Sequence, residues 1–590
     1  MIPDPRHLSN GWEIPSEGYA DQPYVVQTDD GAWLCTMTTG SGEEGATGQH
    51  VVSRRSTDCG RSWEPPVALE PSDGPEASYS VLLKTPFGRI YCFYNHNTDN
   101  VREVKTETGG TFARVDSLGH YVFKYSDDGG RSWSAERYDV PMREFACDRA
   151  NVYGGSLRFF WNVGKPVIRG TEAILCMHKV GAMGTGFFAQ SEGVFLRSPN
   201  LLTESDPTQI VFETLPDGEI GLRTPAGGGR VAEEHSLSVM SDGSLYVVYR
   251  TIDGWPAHAY SRDGGHSWTP PAYLTYTPGG RRMKHPRAAN FAWRCRNGQW
   301  LYWFHNHGGA AAFNSPGWDP YNDRNPAWVS AGREVQTPDG LKLEWSQPEI
   351  LLYEDDPFIR MSYPDLIETA DGTFITETQK AIGRVHQIDA TLLDGLFAQW
   401  ERAAVAQEGL LLEVAGTGAA HTVAFPGLPA FLTRDHHAPN YCSKDLRAGF
   451  SLEFWLTLPS LAPGQLILST QTASGQGLFV GMTPHGTLGL IMSDGRQTSM
   501  WDSDPGMLSP GKRHHVVLTV DGGPKIITFT VDGALCDGGD DRQFGWGRFS
   551  PTLQSANGSS EALLGESVDT LRVYGRALRT SEAVGNWRAG

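Results

Sequence analysis

Cysteine is scarce in this chain of 590 residues: there are eight, and no two form a Cys-x-x-Cys pair. That spacing argues against a zinc ribbon or a dithiol redox centre. Several cysteines sit inside apolar runs, such as Cys92 in 90–93 and Cys176 in 174–177, and read as buried thiols. Long hydrophobic runs are lacking too. No stretch of 18 apolar residues exists, so no membrane-spanning helix is expected. The opening residues Met1-Ile2-Pro3-Asp4-Pro5 offer neither the basic nor the apolar part of a leader. The expected location is the cytoplasm, or the periplasm or exterior if a signal peptide has been removed. Positive charge is the last shortage. Lys and Arg number 49 against 68 Asp and Glu, a net charge of −19. That balance argues against nucleic acid or an anionic membrane as partner, while a local arginine cluster can still hold an anionic sugar.

Glycine, tryptophan and tyrosine are plentiful, at 69, 18 and 20 residues, which suits a turn-rich all-β protein. The length is enough for two domains. The pattern Ser-x-Asp-x-Gly-x-x-Trp occurs three times, at 56–63, 126–133 and 261–268. Asp58, Asp128 and Asp263 can each accept backbone N–H bonds inside a tight turn. Gly60, Gly130 and Gly265 supply backbone angles other residues avoid, and Trp63, Trp133 and Trp268 can plug the turn against a neighbouring strand. Repeated staples imply a repeat architecture, with the tryptophans expected to be buried. Six strand starts follow the same rhythm, at 21–26, near Glu76, at 165–168, 234–239, 285–293 and 362–367, and the 165–168 start is the least regular. Residues 389–401 carry Leu392, Leu393, Leu396 and Trp400 at helical spacing. Alternating strands then resume at 450–456, 515–520 and 526–531, without the staple.

The staple resembles the Asp-box of the sialidase superfamily, and that resemblance implies a six-bladed β-propeller. Residues 568–578 resemble the closing strand of laminin-G or concanavalin-A-like jelly rolls. The expected organisation is therefore all-β: a six-bladed propeller over 1–390, a helical connector over 391–409, and a concanavalin-A-like β-sandwich over 410–590.

In a propeller, the starts of the inner strands and the ends of the second strands crowd one face. Here that slot holds Asp21, Gln22, Glu76, Ser78, Lys165, Glu233, Glu234, His235, Lys284, His285, Arg287 and Tyr363. Second-strand ends add His96, His178, Arg250, His305 and His307. The sialidase resemblance extends to particular residues. Glu234 and Arg250 keep the family's Glu/Arg spacing, Arg324 is the nearest match to a further arginine, and Tyr363 falls where the family carries its nucleophile. The resemblance makes Glu234 the base that takes the Tyr363 proton. Two positions depart from the pattern. The first arginine of the carboxylate-binding triad falls on Asp21, of opposite charge. The family's acid is missing, and only Glu43, Glu44 and His50 stand nearby. Tyr363 can also be read as a core-edge tyrosine, and His305-x-His307 as a weak metal pair.

The resemblance implies an exo-acting glycoside hydrolase that removes a terminal, anionic sugar, with sialic acid first. The catalytic candidates are Tyr363, Glu234, Glu44 and His285. The substrate-binding candidates are Arg250, Arg324, Arg287, Asp21, Gln22, His235, His305 and His307. No cofactor or metal is expected. Two alternatives stay open. Histidine ordinarily titrates near neutrality, so His235, His285, His305 and His307 suit a lyase or hydrolase acting on uronate or rhamnose polysaccharide. A non-catalytic sugar-binding propeller is the other.

Overall fold

The computed structural model describes residues 4–184, 188–313, 323–437 and 442–590. Up to residue 390, the described residues form six antiparallel sheets of four or five strands, each a meander running outward from an inner strand. The inner strands are Tyr19–Gln27, Ala77–Lys84, a split pair Phe159–Trp161 and Val167–Arg169, Glu233–Val239, Phe291–Arg294 and Ser362–Thr369. Tyr19–Gln27 packs beside both Ala77–Lys84 and Ser362–Thr369, and Glu233–Val239 packs beside Phe291–Arg294. This is a β-propeller, and it closes with strands from both ends of that region. Trp12–Ile14 forms the outer strand of the last sheet, with Trp12 opposite Val385 and Ile14 opposite Gly383.

Two strand starts differ from the sequence expectation. The third inner strand begins before Lys165, at Phe159, and is interrupted over 162–166. The fifth begins at Phe291 rather than His285, and 285–290 is a loop. Lys165 serves the channel between the inner strands, a cavity of about 370 Å³. Its Nζ lies 2.9 Å from Asp365 Oδ2 and donates to Val25 O at 2.7 Å.

All three staples have one hydrogen-bond pattern. Ser56, Ser126 and Ser261 Oγ accept from Gly60, Gly130 and Gly265 N at 2.8–2.9 Å. Asp58, Asp128 and Asp263 Oδ1 each accept from the backbone N four residues on, at 2.9 Å. The tryptophans depart from expectation, because they are half-buried and bridge sheets. Trp133 Nε1 donates to Ser53 Oγ in the preceding sheet at 2.9 Å, and Trp268 stacks on Phe195 with centroids 4.5 Å apart. An indole wedged between two sheets keeps one edge in water, which is why burial is partial.

The helix Ala390–Phe397 is shorter than expected and is capped by Asp389, whose carboxylate accepts from Thr391 N. Leu392, Leu393 and Leu396 pack into the propeller core. Beyond it, two sheets of a β-sandwich enclose a second core around Phe450, Phe454, Leu490, Leu518 and Leu571. Ile526, Leu535 and Trp546 of the sandwich share a cluster with Trp328, Ile350 and Tyr353 of the propeller. Among the described residues, no helix is long and apolar enough to cross a membrane.

Candidate active site

A backbone irregularity shared by four sheets builds the centre. Gln22, Tyr79, Glu234 and Tyr363 all have φ between 47° and 60°, a region that side-chain-bearing residues seldom occupy. Each sits at a β-bulge of its inner strand, where register slips between Asp21 and Tyr24, Ser78 and Val81, Glu233 and Ser236, and Ser362 and Asp365. A bulge re-aims the side chain it carries. Two of these re-aimed side chains meet: Tyr363 Oη donates to Glu234 Oε1 at 2.7 Å. Both are buried. Burial pushes the phenol well above its ordinary pKa, and the Glu234 and Glu44 charges push it further. Tyr363 therefore rests protonated with its proton already directed at a carboxylate.

Arginines surround this pair. Arg250 Nη1 lies 2.8 Å from Glu234 Oε2, and its Nη2 lies 2.8 Å from Glu233 Oε2. Arg287 Nη2 lies 2.8 Å from Glu233 Oε1 and also donates to Phe188 O at 2.8 Å. Glu233 is buried, yet these two guanidiniums outweigh its desolvation and hold it below the usual carboxylate range. Arg324 differs: its Nη1 donates to Ser362 Oγ at 2.6 Å, and among the described residues it has no carboxylate partner. Burial lowers its pKa, opposed by the nearby Tyr363 and Glu234.

On the other side of Tyr363, Lys380 Nζ lies 4.4 Å from the ring centroid. It also sits 2.8 Å from Asp21 Oδ2 and 3.3 Å from Glu44 Oε2. Asp21 accepts from Tyr19 Oη at 2.8 Å. Burial raises the Asp21 pKa and Glu44 adds to it, while Lys380 opposes them. Glu44 bonds to Arg114 Nη2 at 2.7 Å. Burial would raise its pKa, but Arg114, Lys380 and Arg324 overcome this and hold it well below the ordinary range. Arg114 continues to Asp116 and to Tyr79 Oη, at 2.9 and 2.7 Å. Glu44 and Lys380 are the outermost of these groups, with side chains 29% and 22% exposed.

The structure thus brings together Tyr363, Glu234, Arg250, Arg324, Arg287, Asp21 and Glu44. The histidines and Gln22 are placed differently from expectation. His235 is on the opposite side of its strand from Glu234, stacked on Tyr249 at 4.3 Å, and burial pushes its pKa down to about 3. His285 has both ring nitrogens engaged, with Ala288 O at 2.7 Å and with His305 N at 3.2 Å. Burial holds it at about 3. His305 faces Pro326 O at 3.3 Å, and His307 stacks on Phe544 of the sandwich at 4.7 Å. These rings brace loops and the domain contact. Gln22 Nε2 donates to Asn162 O at 3.0 Å across the ring.

Sequence reasoning missed Lys380, Arg114, Asp116 and Tyr79. The signal for Tyr79 was present, because Ser78-Tyr79 repeats Ser362-Tyr363 in the same slot of another sheet. Lys380 and Arg114 lie in irregular segments, where no period marks them.

Residues 81–376 match the family model described as a BNR repeat-like domain, and residues 435–583 match the concanavalin A-like lectin/glucanases superfamily. The arrangement is a β-propeller followed by a concanavalin A-like sandwich. The chain belongs to the BNR repeat-like family, whose model spans half of it. No curated protein matches it. Among solved structures it is similar to the leech intramolecular trans-sialidase, at 15% identity, covering 64% of this chain and 68% of that one with a TM-score of 0.43. It is also similar to the intramolecular trans-sialidase from Ruminococcus gnavus, at 14% identity, 64% and 96% coverage and a TM-score of 0.43. A third likeness is to a Trypanosoma rangeli sialidase mutant displaying trans-sialidase activity, at 13% identity, 97% and 95% coverage and a TM-score of 0.40.

Proposed function

We propose that this chain is an exo-acting glycosidase that removes a terminal sugar carrying one anionic group, with sialic acid the first candidate. The observation that carries the reading is the Tyr363–Glu234 hydrogen bond, made by two buried side chains on strained backbone. A protonated tyrosine is a weak nucleophile, and a carboxylate at hydrogen-bond distance is what activates it. Glu234 takes the phenolic proton as Tyr363 attacks the anomeric carbon. A neutral nucleophile is not repelled by an anionic sugar as a carboxylate would be.

Arg324 supports the charge of the substrate. Arg250 and Arg287 are matched by Glu233 and Glu234, and Lys380 and Arg114 by Asp21, Glu44 and Asp116. Among the described residues, Arg324 is the cation of this group left to receive an anion, and a planar guanidinium suits a carboxylate. Glu44, at the rim, is held ionised by Arg114 and Lys380, so the proton for the leaving oxygen comes from solvent water rather than from Glu44. An elimination mechanism needs a titrating base. His235 is stacked on Tyr249 and both ring nitrogens of His285 are hydrogen-bonded, which favours hydrolysis over an elimination that would use them as base.

The test is a panel of glycosides of anionic sugars, assayed for released sugar and for the ultraviolet absorbance of an unsaturated uronate. Release without that absorbance is expected. Tyr363→Phe should fold and turn over at least a thousandfold more slowly, a loss of about 4 kcal/mol of transition-state stabilisation. Near-normal turnover in the folded variant would defeat the mechanism. Absorbance would make the protein a lyase, and binding without turnover would make it a lectin.

A further inference from the structure

The N-terminal strap carries a second constellation, which shares no residue with the site above. Residues 4–8 run across the join between propeller and sandwich. Leu8 N donates to Tyr353 O at 3.0 Å, Tyr353 N donates to Arg6 O at 2.9 Å, and Arg6 Nη1 lies 2.7 Å from Asp521 Oδ2 of the sandwich. This pairing fixes the His7 backbone beside Glu354 and Asp355. His7 is 7% exposed, and its Nε2 makes no hydrogen bond. The two nearest carboxylate oxygens, Glu354 Oε1 and Asp355 Oδ2, are each 3.5 Å away. That is too long for a hydrogen bond. It matches the edge of a tetrahedron, because ligands about 2.1 Å from a zinc ion are about 3.4 Å from one another.

We propose that His7, Glu354 and Asp355 form a binding site for one divalent transition-metal ion of zinc type. His7 Nε2 supplies the nitrogen ligand, the two carboxylates supply oxygen, and water completes the fourth position on the side where Asp355 is exposed. The second shell is in place. His7 Nδ1 lies 2.7 Å from Ser9 Oγ, so the tautomer protonated at Nδ1 donates there and leaves Nε2 free to ligate. That tautomer gives up the bond from Ser9 N to Nδ1, which is the longer one at 3.2 Å. Tyr353 packs edge-on against the imidazole at 5.2 Å and fixes its plane. Arg447 of the sandwich holds Asp355 from behind, with Nη2 2.6 Å from Oδ2 and Nη1 2.9 Å from Oδ1. Glu354 Oε1 accepts from Asp355 N at 2.9 Å, which orients that carboxylate. An ion here would tie the strap, the propeller loop at 353–355 and the sandwich to one centre.

The untagged full chain, stripped with chelator and desalted, is titrated with zinc sulfate alone against a fluorescent chelator. One zinc per chain is expected, together with a rise in Tm on adding zinc. Cobalt in place of zinc should give the visible bands of a four-coordinate nitrogen and oxygen site. His7→Ala and the isosteric Glu354→Gln should each weaken zinc at least tenfold and abolish the Tm rise. His436 and His437, an exposed pair on the sandwich, serve as a control, and changing both to alanine should leave the affinity unchanged. No zinc bound by the native chain overturns the proposal. Equal binding by Glu354→Gln, or loss of binding in the His436/His437 variant, overturns it as well.

Discussion

Arg324 and Arg250 are both buried arginines within reach of Glu234, and they ask for different experiments. Arg250 is committed to two glutamates, so removing it strands buried carboxylates and costs stability. Arg324 touches only a hydroxyl and a backbone carbonyl among the described residues. Arg324→Lys keeps the charge and loses the planar fork. It should raise KM for an anionic glycoside about ten- to hundredfold, change kcat little, and leave Tm within about 2 °C of the native chain. A substrate without an anionic group should show no such difference. Steady-state kinetics on the two substrates decide this. A fall in kcat with KM unchanged would place Arg324 in the transition state rather than in substrate recognition.

At the scale of strands and loops, buried histidines set the acid limit of stability. Burial pushes His235 and His285 down to about 3, and His96, His258 and His307 down to about 4. In the unfolded chain a histidine titrates near 6.5. The unfolded state therefore binds more protons below that value. The stability these groups contribute is complete above about pH 6.5 and is lost as pH falls toward their folded values. His235 alone accounts for about 2 kcal/mol between pH 8 and pH 5. His235→Phe keeps the stack on Tyr249 and cannot titrate. Denaturant unfolding should show its pH dependence reduced by about that amount, whatever the change in absolute stability. An unchanged slope would mean that His235 is not neutral in the fold.

The same elements show what the sequence could and could not reveal. The staples were legible because a turn held by Ser, Asp and Gly is a local object, and each carries the same bonds in the structure. Glu234, Arg250 and Tyr363 were legible because they flank regular strands at fixed spacing. The histidines misled because a sequence places a residue on a strand but not on one of its faces. The bulge that aims Glu234 at the centre sends His235 the other way. Lys380 and Arg114 were not legible, since they reach the centre from irregular segments through contacts with Asp21 and Glu44 far away in the chain.

At the scale of the whole molecule, the two cores are not independent. Trp546 Nε1 donates to Asn306 O at 2.9 Å, Phe544 covers His307, and Arg579 Nη2 lies 2.7 Å from Asp389 Oδ2 at the connecting helix. A chain ending at Gln407 would uncover Trp328, Ile350 and Tyr353, each of them now buried. Its Tm should fall by several degrees relative to the full chain, and any turnover it keeps at low temperature should be lost earlier on heating. Calorimetry of the two chains checks this. Equal Tm values would mean that the sandwich only decorates the propeller.

The outer strand of the last sheet has a consequence for the order of events during synthesis. Trp12 pairs with Val385, so this strand waits for partners made about 370 residues later. At roughly 5–20 residues per second that wait is on the order of 20–75 s. Throughout it the earlier sheets can form one after another as they leave the ribosome, each resting on the one before, while the ring stays open. The earliest strand of this ring is the last to be fastened, and until it is, the nascent propeller shows a bare strand edge at either end of an unfinished circle.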